Sequence, residues 1–228
     1  MIRKISIRQD LDYSEVLKLQ EAVFNKRIEC RKNGLSLPGD VVFFVEHRPV
    51  YTIGRHGDLS HLLLSENEML ARKIEFMRLG RGGDITYHGP GQLTVYPILD
   101  LQRYRLGVKD YVNLLEETVI LTLRDYGLKG ERIEGKTGVW LTDMGMNPRK
   151  ISAIGIYCSR FVSMHGFAFN VAEDISYFDG IVPCGLNQGV TSLSRELERP
   201  ITLDEAEDKL WANLIRLLQL RIPAQGIS

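Results

Sequence analysis

Arg81-Gly82-Gly83-Asp84-Ile85-Thr86-Tyr87-His88-Gly89-Pro90-Gly91-Gln92-Leu93 is the densest stretch of the chain, and what flanks it sets the fold. Four glycines and a proline in eleven positions let backbone approach a ligand closely. Glycine and proline alone would also make a plain hairpin or bulged turn. The Arg, Tyr and His among them favour a site, because they supply polar groups that can converge on one ligand. On either side, Ile74 to Met77 and Leu93 to Leu99 read as strands. Further out, Ile2 to Arg8 and Val41 to Glu46 read as strands before it. Val139 to Leu141, Ile151 to Tyr157 and Phe167 to Val171 read as strands after it.

Helices bracket these strands. Tyr13 to Asn33 carries Val16, Leu19 and Val23 on one face and stops at Gly34. Val108, Tyr111, Val112, Leu115, Val119, Leu123 and Tyr126 recur at helical spacing before Gly127. Ser65-x-x-Glu68 and Thr202-x-x-Glu205 are capping boxes; the second opens a helix with Leu210, Leu214 and Leu218 on one face. The strands cluster mid-chain instead of alternating with helices. The pattern predicts an α+β fold, one domain over 1–228 with mixed β-sheets flanked by helices.

Composition narrows the function classes. The 228 residues hold 29 Lys plus Arg against 29 Asp plus Glu, so no bulk charge points to nucleic acid or an anionic membrane. No apolar run of about 18 residues suggests a membrane span. Three scattered cysteines, Cys30, Cys158 and Cys184, fit neither a disulfide framework nor a zinc site. The first residues, Met1-Ile2-Arg3-Lys4-Ile5-Ser6, lack the apolar core of a signal peptide. A reducing, cytoplasmic setting is the expectation, with no metal and no cofactor.

Gly130-Glu131-Arg132-Ile133-Glu134-Gly135-Lys136-Thr137 matches the P-loop pattern letter for letter. Phosphate cradling needs a strand before and a helix after, and here the order is reversed. Two glutamates in the loop would also repel phosphate, so the match reads as coincidence. Cys184 sits in Val182-Pro183-Cys184-Gly185, where proline fixes φ and glycine permits a sharp turn, a way to present a side chain at a loop tip. Cys30 falls in a helix and Cys158 in a strand, positions where cysteine is usually a small hydrophobe. Lys150 follows the turn Gly145-Met146-Asn147-Pro148-Arg149 and opens a strand; His165-Gly166 opens another.

Together these segments resemble the octanoyltransferases of lipoate synthesis, also called lipoate-protein ligase B. The resemblance rests on Glu46 to Arg55, Arg81 to Leu93, Gly138-Val139-Trp140, Lys150 to Gly155, His165 to Val171, and Pro183-Cys184-Gly185-Leu186. One departure is Arg48, where the family often has a second proline. The resemblance implies the biotin and lipoate ligase catalytic fold. It implies transfer of octanoyl from acyl carrier protein to a lysine of its acceptors. Those acceptors are lipoyl domains of 2-oxoacid dehydrogenase complexes and the glycine cleavage H protein, with the enzyme a monomer. It matches the family's catalytic cysteine and lysine to Cys184 and Lys150. Its acyl-binding segments match Arg81, Gly82, Gly83, Asp84, Ile85, Thr86, Tyr87 and His88, then Ala153, Ile154 and Gly155, then Gly166, Phe167 and Ala168.

The chemistry fits those assignments. A thiolate splits thioesters, yet a free thiol near pKa 8.5 is mostly protonated at neutral pH. A nearby ammonium favours the thiolate, which casts Cys184 as nucleophile and Lys150 as charge partner and proton carrier. Three other readings stand beside this one: an ATP-dependent lipoate ligase on the same fold, a Cys/Lys amidotransferase relative, and a non-catalytic acyl-protein binder. The ligases tend to show His-Asp-x-Gly-Asn where this chain has His88-Gly89-Pro90-Gly91-Gln92. A basic rim of Arg103, Arg105, Lys109 and Arg149 is the expected dock for an acidic carrier protein.

Overall fold

The computed structural model describes residues 2–8, 11–142, 147–172, 174–182 and 189–222. Cys184 and its neighbours Pro183, Gly185, Leu186 and Asn187 lie outside the described residues, as do Gly145 and Met146.

Eleven strands are described. They are β1 (Ile2–Arg8), β2 (Asp40–Glu46), β3 (Val50–Ile53), β4 (Glu75–Arg78), β5 (Thr86–His88), β6 (Gln92–Ile98), β7 (Gly130–Ile133), β8 (Lys136–Leu141), β9 (Arg149–Ser159), β10 (Val162–Asn170) and β11 (Gly189–Val190). The helices are α1 (Tyr13–Lys32), α2 (Glu66–Ala71), α3 (Val108–Arg124), α4 (Leu193–Glu196) and α5 (Leu203–Gln219).

The large sheet runs β1-β2-β6-β10-β9-β8-β7, with β11 added to β9; a small sheet runs β4-β3-β5. Both are mixed: β1 lies parallel to β2, β11 to β9 and β3 to β4, and the other pairs are antiparallel. The expected α+β architecture of mixed sheets flanked by helices is the one found.

Strand alternation divides the large sheet into two faces. Val42 and Phe44 of β2, Leu93 and Val95 of β6, and Phe167 and Phe169 of β10 join the main core with α3 and α5. Val41, Phe43 and Val45, with Tyr96 and Ile98, pack against Val16 and Phe24 of α1 on the opposite side. That explains the unbroken Val41-Val42-Phe43-Phe44-Val45 run, which is buried on both faces. The small sheet has its own core around Tyr51, Ile53, Ile85 and Tyr87.

The P-loop match resolves as the β7–β8 hairpin, turning through Glu134 and Gly135 with φ +75° at the glycine. No helix follows it, so it has no phosphate cradle.

Candidate active site

A cavity opens where the small sheet and the start of α1 face the middle of the large sheet. The rows of the sheet beneath it are set by register: Gln92 opposite Asn170, and Thr94 opposite Ala168, which in turn lies opposite Ala153. Gly166 lies opposite Gly155 one step deeper. Small residues down the middle of two strands leave a trough, and the Gly-rich segment roofs it.

Of the acyl-binding residues expected from the sequence, Arg81, Gly83, Asp84, Ile85, Thr86 and His88 line the cavity. Lys150, Ala153, Ile154, Gly155, Gly166, Phe167 and Ala168 line it as well. Gly82 and Tyr87 do not. The Gly82 N–H is spent on the Ile156 carbonyl at 2.9 Å. The Tyr87 ring turns the other way and stacks on Tyr177, with centroids 4.8 Å apart. Tyr13, Gln92, Thr94, Tyr96, His165, Asn170, Phe178 and Val190 complete the lining and were not in the expected set.

The roof is fastened at both sides. Arg81 Nη2 donates to the Thr52 carbonyl at 2.7 Å and to its hydroxyl at 2.8 Å. The Arg55 N–H donates to the Arg81 carbonyl at 3.1 Å. On the other side, a Cβ on Gly155 would lie 2.8 Å from the Gly82 carbonyl oxygen, so only glycine lets roof and sheet touch there. His61 Nδ1 meets Asp84 Oδ2, which ties the loop before α2 to the roof.

Polar groups at the cavity are ordered by a chain of fixed donors. Asn170 Nδ2 donates to the Thr191 carbonyl at 3.0 Å, so its Oδ1 faces Gln92 and accepts from Nε2 at 3.2 Å. Gln92 Nε2 also donates to the Tyr87 carbonyl, which leaves Oε1 toward His88 Nδ1 at 2.8 Å. An amide oxygen only accepts, so His88 carries its proton on Nδ1 and bares Nε2. Burial drives His88 down to about 3, with Arg81 and His165 adding to the fall. Burial and Arg81 likewise bring His165 to about 4. His47, 2.8 Å from the Tyr96 hydroxyl, is held well below the ordinary histidine range by burial and by His88. All three imidazoles are neutral at physiological pH.

Lys150 stands at the head of the trough. Its Nζ lies 4.6 Å from the centre of the Trp140 ring. The Thr191 N–H donates to the Lys150 carbonyl at 3.1 Å, and Val190 of β11 is its parallel partner. At the other boundary of the segment holding Cys184, the Val182 N–H donates to the His61 carbonyl at 2.8 Å. The other two cysteines are poor nucleophiles: Cys30 is buried in α1, and burial pushes the Cys158 thiol up.

The expected basic rim does not form one surface. Arg149 is largely buried in a two-pronged pair with Glu196, both contacts at 2.8 Å. Arg103, Arg105 and Lys109 follow the Ile98 end of β6, ~20 Å along the strand from the Gln92 end that faces Lys150. Among the described residues no helix is long and apolar enough to cross a membrane, and no group of three His, Cys, Asp or Glu gathers as a metal site.

Fold and cavity define the class, a lipoyl protein ligase A/B catalytic domain, whose family model matches residues 12–215. Solved structures agree on the fold. A bi-partite lipoate protein ligase from Thermoplasma acidophilum superposes with a TM-score of 0.69 at 14% identity, covering 96% of this chain and 85% of that one. Lipoate-protein ligase A bound with ATP gives 0.65 at 15%, covering 96% and 85%. Sequence relatives refine the class. The octanoyltransferase of Christiangramia forsetii is 47% identical over 98% of this chain and 97% of the relative. That of Flavobacterium johnsoniae is 46% identical over 97% and 100%, and that of Cytophaga hutchinsonii 41% over 93% and 91%. The chain belongs to the octanoyltransferase family of lipoate synthesis.

Proposed function

We infer that this enzyme, acting as a single catalytic domain over 1–228, takes octanoyl from acyl carrier protein onto Cys184 and passes it to an acceptor lysine. The acceptors are lipoyl domains of 2-oxoacid dehydrogenase complexes and the glycine cleavage H protein, and the enzyme works as a cytosolic monomer. One observation carries the reading: Lys150 heads the same cavity as the acyl-binding segments, and β11, which follows Cys184 in the chain, pairs beside it.

The steps balance with one proton carrier. The Cys184 thiolate attacks the carrier thioester, the carrier thiolate leaves, and the Lys150 ammonium protonates it. The acceptor amine then attacks the acyl-cysteine, Cys184 leaves as thiolate, and neutral Lys150 takes the amine proton. No nucleotide takes part, which separates this route from the ATP-dependent ligase on the same fold. Neither Cys30 nor Cys158 sits in the cavity lining, which leaves the thioester to Cys184.

Intact-mass analysis tests this. Octanoyl carrier protein without ATP should add one octanoyl mass that hydroxylamine removes. Cys184→Ala should lose adduct and turnover, while Cys30→Ala and Cys158→Ala keep both. Lys150→Arg, permanently charged in this pH range, should lose most turnover yet keep a reactive thiol. An active Cys184→Ala enzyme would end the thioester route.

A further inference from the structure

We propose that Trp140 is a positioning residue for Lys150, its indole face being the seat on which the ammonium rests at the head of the acyl cavity. This rests on the reading of Lys150 as the proton carrier above.

The strand register shows the device. Val139 pairs with Ser152, so an unbroken antiparallel ladder would set Trp140 opposite Ile151. A bulge between Val139 and Trp140 sets it opposite Lys150 instead. Residues directly opposite share a face, so the bulge brings the ring under the lysine stem. The separation of 4.6 Å from Nζ to the ring centre is well inside the ~6 Å reach of a cation–π contact. Lys136 lies over the same ring at 6.0 Å, so Lys150 is the nearer cation.

The ring is itself held. Trp140 is 1% exposed and its Nε1–H donates to the Lys136 carbonyl at 3.3 Å. Its neighbours Val139 and Leu141 enter the main core with α3, whereas Trp140 belongs to none of the four apolar clusters of the described residues. A buried indole outside those clusters, with a cation on its face, suits seating better than core filling. Gly138 clears the path for the stem: its φ is +123°, and a Cβ there would lie 2.5 Å from the Ser152 carbonyl oxygen and 3.5 Å from Lys150 Cε. A lysine stem is long and flexible, so a cation–π contact at its end restricts where the ammonium sits.

The test is carbon-13 NMR of the full chain after reductive dimethylation, beside steady-state kinetics. The Lys150 methyl resonance, assigned by its loss in Lys150→Arg, should lie upfield of the other lysines through the indole ring current. In Trp140→Leu it should move to the bulk position, with kcat down about tenfold and KM for octanoyl carrier protein unchanged. Trp140→Phe should keep part of the shift and most of kcat. A wild-type Lys150 resonance at the bulk position overturns the seat, and so does a Trp140→Leu enzyme with wild-type kcat. Should Leu at 140 prevent folding, the wild-type resonance still decides on the seat. The kcat of Trp140→Phe, set against that of Lys150→Arg, then decides on its role. A missing shift with Lys150→Arg inactive refutes the seat alone; full turnover in Lys150→Arg refutes the proton-carrier reading instead.

Discussion

Gly155 and Gly82 face each other across the roof of the cavity, and they predict opposite outcomes for the same substitution. A Cβ at Gly155 would meet the Gly82 carbonyl oxygen at 2.8 Å and Arg81 Cδ at 3.1 Å. A Cβ at Gly82 would meet only the Ile156 carbonyl oxygen, at an ordinary 3.5 Å. Gly155→Ala should therefore lift the roof from the sheet, lowering stability by about 1–3 kcal/mol and raising KM for octanoyl carrier protein. Gly82→Ala should leave both within error. Urea titration and steady-state kinetics on the two variants check this, and equal behaviour would mean the roof is not seated on Gly155. Some of this was legible from the residues alone: the glycines of Arg81 to Gly91 mark a close backbone approach. Which glycine touches which strand was not, because Gly82 and Gly155 lie 73 positions apart in the chain.

At the scale of elements, the long periodic segments are where reading and structure coincide. Helices α1, α3 and α5 and strands β1, β2, β6 and β9 fall within a few residues of their expected bounds. Short elements escaped, since Val50–Ile53 and Thr86–His88 offer four and three residues between turn formers, too few to show a period. Strand β10 begins at Val162, not Phe167; His165 takes φ +59° there, an irregularity that the His-Gly pair signals but that reads as a strand start. The lining residues Thr94, Tyr96 and Asn170 were missed for a related reason. Their strands are buried on both faces, so nothing in the pattern marks the face that meets a cavity. Arg149, expected in the basic rim, makes a structural contact at this scale instead. Arg149 of β9 and Glu196 of α4 form a fork pair, with Thr191 also donating to Glu196, and this fastens the end of β11 beside Lys150. Arg149→Met would remove both prongs of the pair with Glu196 and should cost about 1–3 kcal/mol in a urea titration. Arg149→Lys should recover little of it, because a single ammonium cannot match a two-pronged contact. Full recovery by lysine would show that the charge alone matters there.

The whole molecule carries a pH dependence that its zero formal charge conceals. His47, His88 and His165 are buried together around the cavity, each with its pKa lowered from the ordinary 6.5: His88 to about 3, His165 to about 4 and His47 well below 6.5. The unfolded chain binds protons at these three sites as pH falls through 6.5, while the folded chain does not. Proton uptake by the unfolded state lowers the free energy of unfolding, so stability is full above that pH and declines below it. Each neutral histidine contributes a slope of about 1.4 kcal/mol per pH unit inside its window. Between pH 6 and 4 the windows of His88 and His165 overlap, for a combined slope of up to about 3 kcal/mol per unit, and His47 adds to it below pH 6.5. Against a typical total of 5–15 kcal/mol, that slope makes acid a strong destabiliser of this protein below about pH 6. Urea midpoints should thus hold steady from pH 8 to 7 and fall steeply from 6 to 5. His88→Gln supplies the sharper measurement. It will lower stability at every pH by disturbing the Gln92 contact, yet it should make the slope shallower by up to about 1.4 kcal/mol per unit, since one proton site is gone. A His88→Gln protein with the wild-type slope would mean that His88 is already protonated in the folded state. A flat wild-type midpoint from pH 7 to 5 would say the same of all three.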